Sequence, residues 1–122
     1  MDDIEFSKLV AAGIDAIPER FAKHIDNVAI VIADAPTVDQ RKQLHLRAHS
    51  YLFGLYEGIP KTKRSHYQLA LPDKITIFKK DISEAAGHNP QQIERLVHQT
   101  VWHEIAHHFG LSEREVRDRE VH

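Results

Sequence analysis

The sequence predicts a compact α+β domain, a small sheet packed on helices, with the longest helix near the C-terminus. Two observations carry this. Helical three- and four-residue spacing dominates both ends of the chain, and two β-branched runs lie between them. The length of 122 residues suits one domain, expected to span 1–122, with a single core. A 42% hydrophobic and 28% charged composition is ordinary for a soluble globular protein.

The first helix follows from Phe6, Leu9, Val10, Gly13, Ile14 and Ile17, which share one face at helical spacing. Pro18 interrupts it, and "ERFAKHI" adds another turn or two. "NVAIVIAD" is β-branched and bounded by Asn27 and by Asp34-Ala35-Pro36, which predicts a buried strand. The middle, Thr37 to Tyr56, is ambiguous: Leu44, Ala48, Tyr51, Leu52 and Leu55 fit a helix that Gly54, Gly58 and Pro60 would soon break. "EGIPKTKRSHYQLALPD" has the character of a loop, with Lys61, Lys63 and Arg64 clustered as a solvated stretch, or with Arg64 turned toward a cleft or a carboxylate. "KITIFKKDI" predicts a second strand that alternates Ile75 and Ile77 inward with Thr76 and Phe78 outward, or the reverse. The last long helix has an Asn89 N-cap, Pro90 at its first position and Gln92 at its third, a capping-box start. Its apolar face is Ile93, Leu96, Val97, Thr100, Val101 and Ile105, and Gly110 ends it.

Composition excludes several function classes. With no cysteine, disulfides, thiolate metal sites and cysteine nucleophiles are out. A net charge of −2 gives no general attraction to nucleic acid or to an anionic membrane, and neither partner is expected. No apolar run approaches the ~20 residues needed to cross a bilayer. "MDDIEFSKLV" lacks the basic n-region of a signal peptide, so a cytoplasmic location is expected.

Chemistry concentrates in "HQTVWHEIAHHFGLSE", which holds four of the ten histidines. His103, Glu104 and His107 spell H-E-x-x-H within the helix. At about 100° per residue, His103 and His107 stand one turn apart, ~40° from each other, so both imidazoles reach one ion. Glu104 projects beside them, suited to act on a water at that ion as a general base. Chance yields the pattern about 0.06 times per shuffled chain of this composition, and about 0.002 times once a glycine in the place of Gly110 is required. Gly110 has a mechanical reason: the helix must stop after His107 and the chain must turn back under the metal with a third ligand. Glu113 stands three residues on, and a carboxylate is an acceptable zinc ligand.

The string H-E-x-x-H-x-x-G-x-x-E matches the extended metzincin signature with glutamate in the third ligand place. "HEIAHHFGLSE", preceded by "GIPKTKRS" and "LPDKITIFKKDI", resembles the small zincin-like metallopeptidases of bacteria, minimal proteins similar to a metzincin catalytic core. The resemblance runs from about Phe6 to Arg117 and is most specific from Leu55 to Glu113. It implies an α+β zincin fold, one Zn2+ per chain, and hydrolysis of peptide bonds in a peptide or protein substrate. His103, His107 and Glu113 would be the metal ligands and Glu104 the catalytic base, activating water on the zinc. Family members often carry Asp where Glu113 stands. Met1 is the sole methionine, so the methionine turn of metzincins is missing, and few residues follow Glu113 to build a far cleft wall.

Blander roles stand beside these. Ser112 and Glu115 form a capping-box pattern for a short final helix, in whose first turn the helix dipole would favour Glu113 anyway, a role compatible with that of a ligand. Glu115 and Asp118 are the next candidates for the third ligand. His108 falls on the side of Val97 and Val101 and suits a structural or supporting role, and His98 has none assigned. His45, His49, His66 and His88 are expected at the surface, with His66 or Tyr67 able to stabilise an oxyanion. If a substrate strand joins the sheet, "KITIFKKD" is the expected edge. Two other readings remain: a metal-binding module or pseudo-peptidase acting through protein partners, and a metal-dependent endoribonuclease. The intact glutamate argues against the first. The histidine spacing and the acidic charge balance argue against the second. Oligomeric state is left open.

Overall fold

The computed structural model describes residues 1–23, 25, 27–58 and 72–109. Lys61, Lys63, Arg64, His66, Tyr67, Gly110, Ser112, Glu113, Glu115 and Asp118 lie outside the described residues. Helix α1 spans Asp3–Asp15 and begins at Asp2, whose carboxylate accepts from the Glu5 amide at 2.8 Å. Its C-terminal side breaks before Pro18, and α2, Glu19–Ala22, is the extra turn expected there. Strand β1 is Val28–Ala33, α3 is Val38–Gln43, β2 is Gly54–Glu57 and β3 is Asp73–Phe78. Helix α4, Lys79–Ala85, follows β3 directly, and α5 is Pro90–His108.

The sheet has the order β1-β3-β2, with β1 parallel and β2 antiparallel to β3. One face of β3, through Ile75 and Ile77, meets the core formed with Phe6 and Val10 of α1, Ile82 of α4 and Ile93, Val97, Val101 and Ile105 of α5. Nearly all of the apolar face expected for α5 is buried there, with Leu96 at its margin. Truncating such a side chain, each a fully enclosed branched aliphatic, typically costs 2–5 kcal/mol by loss of contacts and by the cavity left behind.

Four expectations are corrected. First, β3 does not alternate between core and solvent: Ile75, Thr76, Ile77 and Phe78 are all buried, because the strand is central and covered on both faces. Second, β3 cannot be a docking edge, since β1 and β2 occupy its two sides. Proline at Ile77 would therefore break the sheet. Third, among the described residues β1 stands at an edge of the sheet and is not buried, with Val31 and Ile32 38% and 37% exposed. Fourth, the strand expected over "KITIFKKDI" stops at Phe78, where the chain turns into α4.

The ambiguous middle resolves into a short helix and a strand. Thr37 and Gln40 make a two-way capping box that starts α3. The helix ends in a Schellman motif: the Leu46 amide donates to Arg41 O at 3.0 Å and the His45 amide to Lys42 O at 3.2 Å. His45 occupies the left-handed position with φ 53°, whereas α4 ends in the same motif with Gly87 at φ 62°. Beyond α3 the ladder with β3 overrides helical spacing and extends residues 54–57. Asp81, buried in the first turn of α4, accepts from the Leu52 amide at 3.0 Å and fixes the entry to β2.

The left-handed histidine gives a direct stability test. A side chain in that conformation costs about 1–2 kcal/mol, and glycine returns part of the gain through its greater freedom when unfolded. His45→Gly is expected to stabilise the fold by about 0.5–1 kcal/mol in chemical denaturation. Loss of stability would show that the exposed imidazole makes a contact outweighing its backbone strain.

Candidate metal centre

Helix α5 is set in place from its start. Asn89 Oδ1 accepts from the Gln91 and Gln92 amides at 3.0 and 3.2 Å, and Pro90 supplies the first helical residue. The two-way box expected there is replaced by this double acceptance by Asn89. Burial of Ile93, Val97, Thr100, Val101 and Ile105 then fixes the helix rotation, and with it the direction of every other side chain.

That rotation leaves His103 and His107 half-buried at the margin of the core. Their ring centroids are 4.8 Å apart at 75°, one helical turn from each other. Glu104 points inward, only 7% exposed, and its Oε2 lies 3.0 Å from His103 Nδ1. When His103 Nδ1 carries the proton it donates to this carboxylate, and the tautomer leaves the Nε2 lone pair for a metal. One ligand atom from each of His103, Glu104 and His107 lies within 4.8 Å of the others. Among the described residues no other trio of histidine and acidic side chains converges in this way.

Two imidazoles and a carboxylate at this spacing suit a divalent cation that takes nitrogen and oxygen ligands. The rings stand near the surface, where an ion can enter, and the carboxylate stands behind them.

Of two further features of the surroundings, Gly54 had no role at the site assigned from the sequence, and His108 had a structural role without named partners. Gly54 of β2 is buried against α5 at the level of Glu104: a Cβ placed there would lie 2.7 Å from Thr100 Cγ2 and 2.8 Å from Glu104 Cγ. The only signal was the glycine itself, which in a sequence reads as a helix breaker. One turn further along α5, His108 Nδ1 lies 3.3 Å from Asp73 Oδ2, which also accepts from the Tyr56 hydroxyl at 2.7 Å. His108 thus ties the end of α5 to β2 and β3, in line with its expected structural role. β2 runs in the same sense as α5, meeting Glu104 at Gly54 and His108 at Tyr56. His45, His49 and His88 are exposed, as expected.

No helix among the described residues is long and apolar enough to cross a membrane. No individual curated protein matches the chain. A family model for zincin-like metallopeptidases matches residues 25–122, which is the whole chain apart from α1 and α2. With that coverage, and with the His103–Glu104–His107 cluster carried on one helix, the chain belongs to the zincin-like metallopeptidase family.

Proposed function

We propose that the protein is a zinc-dependent peptidase with one metal ion per chain. His103 and His107 would hold the ion through their ring nitrogens, and Glu113, in the third ligand place of the motif, would complete the set. When bound, zinc supplies a Lewis acid that lowers the pKa of water and polarises a carbonyl oxygen. The rest of the chemistry falls to Glu104. Its carboxylate takes a proton from the attacking water and returns it to the departing amine, so that the C–N bond breaks without leaving a charged amide anion.

One observation carries this reading. Glu104 is buried beside the two imidazoles rather than exposed on the helix surface. Burying a carboxylate is costly unless it is paired. With Glu113 as the third ligand, a protein that merely bound metal for a partner would need no second carboxylate beside the imidazoles, whereas a hydrolase needs a base there.

The test is incubation of zinc-loaded protein with a mixed peptide library, with new termini read by mass spectrometry. The expected result is cleavage that stops on chelation and returns with added zinc. Cleavage indifferent to chelation, or none at any pH from mildly acidic to mildly basic, would refute the peptidase reading.

A further inference from the structure

Strand β2 approaches the cluster at Gly54, where its backbone lies against the stem of an acid. A Cβ at this position would come to 2.8 Å from Glu104 Cγ, 3.3 Å from its Cδ and 2.7 Å from Thr100 Cγ2. Real Cβ atoms do not tolerate contacts this short, so a side chain here requires something to move. Thr100 cannot yield readily, because it is 6% exposed and β-branched on a helix, which restricts its rotamers. The backbone at Gly54 is also restrained. Phe78 N–H donates to Phe53 O at 2.9 Å just before it, Asp81 holds the Leu52 amide, and the ladder with β3 continues through Glu57. Glu104 is the member of the contact with a flexible stem.

We infer that Gly54 is a positioning residue for Glu104: the side chain missing from β2 is the space in which the base is held. This rests on the peptidase reading given above. On one side the Glu104 stem lies against the bare strand, and on the other its Oε2 lies 3.0 Å from His103 Nδ1. A methyl group on the strand pushes the stem away and turns the carboxylate out of reach of the water it must deprotonate. The histidines, on the outer margin of the helix, keep their places. Misplacement of a reacting group by about 1 Å is enough to cost about 100-fold in rate.

The experiment is a double-mutant cycle of Gly54→Ala with Glu104→Ala, read by peptide hydrolysis, zinc content and thermal unfolding on the same four proteins. Gly54→Ala alone is expected to lower kcat at least about tenfold with KM changed less than about twofold, and zinc is retained. In the Glu104→Ala background, adding Gly54→Ala should change the residual rate less than about twofold, since two residues acting through one group are not additive. Unfolding reads the contact without reference to catalysis. Gly54→Ala should lower Tm by several degrees in the wild-type background, and by about half as much or less where the Glu104 stem is absent. Thr100→Ser, which removes the other close atom, should relieve the remainder without restoring kcat.

Equal falls in Tm in both backgrounds would overturn the positioning contact, whatever the hydrolysis shows. Coupling in unfolding together with an unchanged kcat would overturn the catalytic role of the contact. Hydrolysis by none of the four proteins would bring down the peptidase reading, and with it that role, while the unfolding cycle still decides whether the contact exists.

Discussion

Replacing Glu104 with glutamine is expected to lower peptide hydrolysis about 10²–10⁴-fold while leaving zinc bound. The substitution preserves size and shape, so the close fit against Gly54 and Thr100 survives. An amide cannot take a proton from water at neutral pH, and the whole base contribution is lost. The contact with His103 Nδ1 changes character but is not removed, because the glutamine oxygen still accepts. Zinc content and thermal stability measured beside kcat separate this outcome from simple misfolding. A variant that keeps its full rate would mean that Glu104 is a structural partner of His103 and that proton transfer lies elsewhere.

The second large effect concerns the ligands. His103→Ala or His107→Ala leaves one imidazole where two stand a turn apart with ring centroids 4.8 Å from each other. A ligand that binds only the folded state raises stability by about 2.7 kcal/mol at a hundredfold excess over its Kd. Added zinc should therefore raise the Tm of the wild-type protein by several degrees and leave that of either variant unmoved. Neither residue belongs to the buried core, so both variants should fold. An equal zinc-induced shift in wild type and variants would place the binding outside this cluster.

The grouping of His103, Glu104 and His107 was more legible in the sequence than the sheet. H-E-x-x-H fixes its own geometry, because helical spacing alone sets two histidines one turn apart, and burial of Val97, Val101 and Ile105 fixes which way they face. Strand β2 was hidden for a physical reason. It is four residues long, contains Gly54, and owes its extension to the ladder with β3, a partner distant in sequence. The centrality of β3 was hidden likewise: Thr76 and Phe78 are as buried as Ile75 and Ile77, and no alternation can report burial on both faces. Helix α4 was masked by the polar stretch that opens it, where Asp81 looks like a surface residue yet is buried, holding the Leu52 amide. Gly54 shows the same limit at the site itself. Its significance lies in what it touches on another element, and spacing within one element cannot reveal that.

Zinc stoichiometry by elemental mass spectrometry, on untagged wild-type protein beside His107→Ala and Glu113→Ala, decides whether this cluster is a metal centre. The expected result is one zinc per wild-type chain, none with His107→Ala and a weakened complement with Glu113→Ala. Full metal in Glu113→Ala would move the third ligand to another acid, with Glu115 and Asp118 next in line. Wild-type protein that holds no metal, even after zinc is supplied, would rule out the metal centre and leave His103, Glu104 and His107 as ordinary residues of α5.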